Sequence, residues 1–192
     1  MGREFELKYR ATPEVQARIA AAFGGGFESI SMETTYYDTP DRVLAAQRYT
    51  LRRRMENGVS VCTVKTPAGD HGPGEWECVC SRIEDSVPML CQLGAPQSLQ
   101  AQTAGGLVPI CGARFTRLAK TVSLDGCSVE LALDRGILLG GSREEALCEV
   151  EVELKSGPEA AAEVFAAELA EKFGLVPEDK SKFRRALALA EV

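Results

Sequence analysis

Charged residues recur at every second position in several segments of this chain, with apolar or aromatic residues between them. Glu4-Phe5-Glu6-Leu7-Lys8-Tyr9 and Cys148-Glu149-Val150-Glu151-Val152-Glu153-Leu154 carry acids in this way, and Arg52-Arg53-Arg54 and Thr63-Val64-Lys65 place bases at the same spacing. Side chains two apart on a strand share a face, so each segment carries a charged stripe backed by an apolar one. A single strand of this kind is the edge of an antiparallel sheet with one face in water. Recurrence points elsewhere. Strands that close into a barrel with their charged faces inward would set acids and bases facing one another in a lumen, which is costly for an interior. Crowded carboxylates raise one another's pKa unless a cation intervenes, and clustered guanidinium and ammonium groups call for an anion. A divalent metal together with a polyanion meets both demands.

Alternation and turn residues predict eight strands, at 3–11, 27–38, 48–57, 59–66, 74–81, 113–124, 127–138 and 146–156. Asn57-Gly58 and Asp125-Gly126 are two-residue hairpin turns, which makes the third and fourth strands, and the sixth and seventh, antiparallel neighbours. An even number of such strands can close without an edge. Thr12-Pro13-Glu14 opens a helix as N-cap, first-position proline and first-turn acid; Val15, Ile19 and Phe23 share one face, and Gly24-Gly25-Gly26 stops it. Ser156-Gly157-Pro158-Glu159 opens a second, with Phe165, Leu169 and Phe173 on one side and Gly174 at its end. A third is expected over 180–191 with Phe183, Leu187 and Ala190 inward, and residues 85–105 read as short helices. The expected class is therefore α+β: an eight-stranded antiparallel closed β-barrel with a charged lumen, its apolar outer side (Phe5, Leu7, Val150, Val152) covered by helices.

At 192 residues the chain is long enough for one domain, 1–192, with no linker or low-complexity stretch. A net charge of −6 with no basic arm argues against a nucleic-acid partner. No run of 18 or more apolar residues occurs and the N-terminus lacks a signal-peptide pattern, so no membrane partner and a cytoplasmic location are expected. The seven cysteines lack the paired spacings of a zinc site, and neither Cys78-Val79-Cys80 nor the single His71 gives local support for a Cys/His centre. Sequence does not fix the oligomeric state.

Taken in order, Glu4-x-Glu6-x-Lys8, Tyr36-Tyr37-Asp38-Thr39, Leu51-Arg52-x-Arg54, Thr63-Val64-Lys65, Glu75-x-Glu77, Arg117, Leu133-Asp134-x-Gly136, Glu149-x-Glu151-x-Glu153-Leu154 and Ser181-Lys182 resemble the CYTH domain, or triphosphate tunnel metalloenzymes. The resemblance covers nearly the whole chain and is greatest to bacterial inorganic triphosphatases of the family, without the extra C-terminal domain of longer members. Each motif has a simpler explanation alone: Arg52–Arg54 as a solvated face, Glu149–Glu153 as an exposed strand, Glu75 and Glu77 as flanks of a buried Trp76. Jointly these would be many independent coincidences.

The resemblance implies an eight-stranded tunnel that binds a triphosphate with divalent metal. It makes Lys8, Arg52, Arg54, Lys65, Arg117 and Lys182 phosphate contacts, and Glu4, Glu6, Glu149 and Glu151 ligands of Mg2+ or Mn2+. Arg suits paired contacts to a tetrahedral anion, Lys is a compact charge, and all-oxygen ligands suit hard cations. Glu6, Glu151, Lys65 and Arg117 become the catalytic candidates; Glu75, Glu77, Glu130, Asp134 and Glu153 are possible additions. Many members carry an arginine where this chain has Pro73, and Arg114 is the candidate substitute. The implied reaction is hydrolysis of inorganic tripolyphosphate to pyrophosphate and phosphate. The rivals are a class IV adenylate cyclase, a thiamine triphosphatase, and a binding module for polyphosphate or nucleoside triphosphate without catalysis. The phases of Arg52, Glu75 and Glu4 turn Tyr49, Trp76, Phe5 and Tyr9 outward, leaving only Phe115 and one of Tyr36 or Tyr37 to stack on an organic group.

Overall fold

Segments of alternating polarity become strands that pair in sequence order wherever a tight turn joins them. A computed structural model of the protein describes residues 5–69 and 72–190. In chain order these form β1 (Glu6–Arg10), α1 (Pro13–Ala22), β2 (Glu28–Asp38), α2 (Val43–Ala46), β3 (Thr50–Glu56), β4 (Val59–Gly69) and β5 (Gly72–Val79). There follow α3 (Ile83–Gln92), α4 (Ser98–Thr103), β6 (Val108–Leu124), β7 (Cys127–Gly140), β8 (Arg143–Ser156), α5 (Glu159–Phe173), β9 (Val176–Pro177) and α6 (Lys182–Ala190). The strands make one large sheet in the order β5-β4-β3-β2-β6-β7-β8-β1-β9, antiparallel at every pairing, so the class is α+β.

Local chemistry accounts for the boundaries. Asn57 and Gly58, with φ of 47° and 88°, make the turn with two positive φ values that joins β3 to β4. Thr12 Oγ1 accepts from Val15 N at 3.3 Å and caps α1. Tyr36-Tyr37-Asp38-Thr39 ends β2 in a corner at Asp38: its Oδ1 accepts from Thr39 N and Leu44 N at 2.7 and 2.9 Å, and Oδ2 from Ala45 N at 3.0 Å. Those bonds hold the short α2, which hydrophobic periodicity does not reveal. The sixth strand begins at Val108, earlier than the expected 113, because Pro109 sits at a bulge in the β2–β6 ladder, where its missing N–H is tolerated.

Helices cover the apolar side of the sheet in two places. The α1 and α5 residues Ile19, Ala166, Leu169 and Phe173 pack with Tyr9, Leu131, Leu133, Val150 and Val152. Around α3 and α4, Val87, Leu90 and Leu99 pack with Leu51, Val64 and Trp76. Trp76, Tyr49, Phe5 and Tyr9 all lie in these outer cores, as their phases predict.

The last helix departs from expectation. Instead of joining the outer layer, α6 lies on the charged face of the sheet, where Ala186, with Phe183, Leu187 and Leu189, packs against Met32, Tyr36, Ala113, Phe115, Leu138 and Leu147. That face is therefore not wholly charged: β2, the first half of β6 and the hairpin end of β7 and β8 give it an apolar segment. The expectation failed because the alternation of those segments carries few charges and does not say which side is inward.

Gly140 lets α6 seat there. A Cβ at this position would lie 2.4 Å from Ala186 O, 2.5 Å from Leu189 Cβ and 2.6 Å from Ala190 N. Gly140→Ala is expected to destabilise the fold by about 1–3 kcal/mol through overpacking, read as a lowered urea midpoint. An unchanged midpoint would show that α6 is not held at this point.

Candidate active site

Register gathers the charges on one face. In the β1–β8 ladder Glu6 lies opposite Glu153, Lys8 opposite Glu151 and Arg10 opposite Glu149. Across β7–β8 Glu130 meets Glu153 and Asp134 meets Glu149, and Arg117 of β6 is opposite Asp134. The same phase carried through β2 brings Arg52 and Arg54 of β3, and Thr63 and Lys65 of β4, to this face.

Asp134, Glu149 and Glu151 are buried and each offers an oxygen within 4.8 Å of the others, a grouping able to hold a metal ion. Three cations lie among them. Lys182 Nζ, from the first turn of α6, is 2.8 Å from Asp134 Oδ2, 2.7 Å from Glu149 Oε2 and 2.5 Å from Glu151 Oε1. The Arg117 guanidinium donates from Nε and Nη2 to the two oxygens of Asp134, both at 2.8 Å, and also to Glu151 Oε2. Arg185 donates to Glu149 Oε1 and, at 2.5 Å, to Glu145 Oε1. Only the bond to Glu151 is aligned among the contacts of Lys182, so Glu149 Oε2, fully buried, has the ammonium beside it but no aligned hydrogen bond.

Burial opposes every charge in this group, and the opposite charges prevail. Burial raises the Glu151 pKa, but Lys182, Arg117 and Lys8 outweigh it and hold the carboxyl down to about 2. Burial lowers Lys182 and Arg117; the charges of Glu151, Asp134 and Glu149 on the lysine, and the hydrogen bond and charge of Asp134 on the arginine, raise both. From the other side of the sheet, the buried Gln16 of α1 donates through Nε2 to Asp134 O at 2.9 Å and Glu149 O at 2.8 Å, fixing the two backbones that carry the acids.

The basic side of the face is incompletely satisfied. Arg52 Nε and Thr63 Oγ1, on directly opposed residues, are buried without hydrogen-bond partners. Burial and the neighbouring Arg52 lower the Arg54 pKa, although Glu56 pairs with it. Lys65 Nζ is 2.9 Å from Glu75, and Arg52 Nη2 3.8 Å from the same carboxylate. An anion on this wall would complete the donors of Arg52 and Thr63 and relieve the repulsion between the arginines.

The expected residues fall as follows. Glu149 and Glu151 enter the acidic cluster with Asp134, one of the possible additions. Glu6 is on the same face, 3.2 Å from Lys8. Glu4 and His71 lie outside the described residues. Glu130 and Glu153 flank the cluster near Lys155, and Glu75 and Glu77 line β5 on the basic side. Arg114 is a correction: it is an odd number of residues from Arg117, so it points to the opposite face, beside Glu144 at 3.7 Å. It cannot take the role proposed for it at Pro73. Arg185, Gln16 and Thr63 were missed. Gln16 had left one signal, a polar residue one turn from Ile19 on an otherwise apolar helix face.

The CYTH domain profile matches residues 2–187. The chain belongs to the CYTH domain family. It is 30% identical over 165 residues to an inorganic triphosphatase of Haemophilus influenzae, covering 82% of this chain but 46% of that protein, so the chain spans about half the length of that curated relative. Among solved structures it resembles an adenylyl cyclase candidate from Hippeastrum, described as revealing a dominant triphosphatase activity, with a TM-score of 0.67 at 16% identity over 98% of this chain and 95% of that one. It also resembles an adenylate cyclase candidate of Bacillus halodurans, with a TM-score of 0.62 at 19% identity over 95% and 96% of the two chains. These structural likenesses show the CYTH fold. No helix among the described residues is long and apolar enough to cross a membrane.

The depressed pKa of Glu151 fixes the sign of its pH effect. Its contribution to stability is complete above the ordinary carboxyl value of 4.5 and is lost as pH falls towards about 2. Urea denaturation across this window should show falling stability in the wild type and a shallower slope in Glu151→Gln; equal slopes would show that Glu151 is not held by Lys182 and Arg117.

Proposed function

We propose that this CYTH domain hydrolyses inorganic tripolyphosphate to pyrophosphate and phosphate, with Mg2+ or Mn2+, inside a closed eight-stranded tunnel formed by its charged face. The observation that carries the reading is the pair of incomplete sites on that face. On the acidic side buried Glu149 Oε2 meets the Lys182 ammonium at 2.7 Å without an aligned hydrogen bond, and on the basic side buried Arg52 Nε and Thr63 Oγ1 have no hydrogen-bond partner. The family and the Haemophilus triphosphatase supply the substrate class that fits both.

The donor set suits a hard divalent cation, being all carboxylate and already shared around one ammonium group. Asp134, Glu149 and Glu151 would hold it, with Glu6 and Glu4 of the N-terminal motif as further ligands. Bound there, the metal would neutralise phosphate charge and lower the pKa of the attacking water. Arg52, Arg54, Lys65, Lys8 and Lys182 grip the phosphate oxygens and offset the charge of the transferring group. Water adds to a terminal phosphorus as the bridging P–O bond breaks; one of its protons stays on the phosphate formed and the other passes to the pyrophosphate that leaves. Glu151, on the same face as the carboxylates that would hold the metal, orients the water. Arg117 positions Asp134 and Glu151, and its Nη1 edge, 3.8 Å from Glu130, is the side that would meet a phosphate oxygen.

The inorganic substrate is favoured over ATP or thiamine triphosphate because α6 covers the aromatics that could stack on an organic group. Tyr36 lies 4.9 Å from Phe183, centroid to centroid, and Phe115 is beneath the Lys182 ammonium at 5.4 Å.

Phosphate release measured with tripolyphosphate, ATP and thiamine triphosphate at one pH and metal concentration tests the reading. The highest kcat/KM is expected for tripolyphosphate, with no cyclic nucleotide formed. Glu149→Gln is expected to lower turnover about 100-fold or more. Thr63→Val should weaken tripolyphosphate binding about tenfold while leaving the ligand-free protein as stable or more so, since it removes a buried unsatisfied hydroxyl. Preference for an organic triphosphate, or binding without any phosphate release, would overturn the assignment.

A further inference from the structure

The buried acidic cluster is already occupied by cations, although its two arginines also serve Glu130, Glu145 and Glu178. Asp134, Glu149 and Glu151 face the three cations Lys182, Arg117 and Arg185, and of these Lys182 alone touches all three carboxylates. Its ammonium sits 2.5–2.8 Å from an oxygen of each, among the same oxygens that form the metal-capable group. A divalent ion and this ammonium cannot share that space. A divalent ion added while the ammonium stayed would also crowd two more positive charges against Lys182 and the two guanidinium groups, which low dielectric makes costly.

We infer that Lys182 is the resident cation of this site in the ligand-free protein, and that metal is admitted only as the Lys182 side chain moves from the carboxylates to the phosphate. This rests on the metal and triphosphate reading proposed above and adds how the two ligands are coupled. Tripolyphosphate draws the ammonium away and brings the negative charge that a divalent ion balances; without it, Lys182 defends the site. Lys182 suits the exchange because its flexible stem carries a compact charge, whereas Arg117 and Arg185 are held by forked contacts to two carboxylates each. Its position assists as well. It stands on the first turn of α6, where a positive side chain opposes the helix dipole, so that carboxylates or phosphate must lie close by. Seated by Gly140 and by Phe183 against Tyr36, the helix returns the side chain to the acids when the substrate leaves.

The test is Mn2+ binding to the whole chain without triphosphate, followed by the electron paramagnetic resonance of free Mn2+. Lys182→Met and Lys182→Gln are compared with wild type, and Arg184→Met serves as control because it removes a charge from the exposed side of the same helix. The Lys182 variants are expected to bind Mn2+ more tightly by between about 5- and 150-fold, the usual size of a coupling between sites, and the control to match wild type. Variants that fold only when Mn2+ is present give the same result, since the ion then replaces the ammonium. Wild-type affinity in folded Lys182 variants, an equal gain in Arg184→Met, or variants that stay unfolded with Mn2+ would overturn the inference. If wild type and variants alike bind no Mn2+ even with tripolyphosphate, the metal reading itself fails, and this outcome is distinct because no binding is seen anywhere.

Discussion

Three carboxylates cannot share the space between β7 and β8 unless cations lie among them, and much of the architecture serves that requirement. Asp134 and Glu149 are opposed in the ladder and Glu151 follows on the same face, so the spacing of two that makes the strand also crowds the charge. Gln16 reaches through from α1 to bind both backbones, and the hydrophobic layer beneath, Leu133, Val150 and Val152, keeps water from that side. Removing one partner from such a group leaves a buried unpaired charge, a change that costs about 3–5 kcal/mol in comparable buried pairs. The cluster is therefore stable only as a complete set, whether the set is closed by Lys182 or by another cation.

The position of α6 follows from the same need. Its apolar side covers the uncharged part of the face, and its first turn delivers Lys182 and Arg185 to the carboxylates. Ser181 Oγ accepts from Arg184 N at 3.2 Å, which begins the helix at the point where those side chains can reach. A helix with basic residues in its first turn looks ill-placed in sequence; set over three acids it is stabilised. One element thus joins the packing of the interior to its electrostatics and covers Tyr36 and Phe115.

The charged stripes were legible in the sequence because a period of two is fixed by strand geometry, and the turns at Asn57-Gly58 and Asp125-Gly126 fixed their pairing. Phase also placed Trp76, Tyr49 and Tyr9 outside and Arg52, Arg54, Lys65 and Glu151 on the opposite face. What could not be read depends on contacts distant in sequence. Arg185 and Gln16 act through side chains that meet Glu149 across the fold, and Thr63 is distinguished only by burial without a partner. Arg114 was misplaced by proximity to Arg117, although three residues along a strand invert the face. The α6 site was missed because periodicity shows that a helix has an apolar side and is silent about which surface it covers.

The most direct measurement is the anomalous scattering of Mn2+ in crystals grown with a non-hydrolysable tripolyphosphate analogue. A peak among Asp134, Glu149 and Glu151, with the analogue against Arg52, Arg54 and Lys65 and the Lys182 ammonium turned to its oxygens, is the expected result. A peak outside that group while Lys182 remains bound to all three carboxylates, or an analogue seated away from the arginines, would contradict the assignment of this face as the triphosphate site.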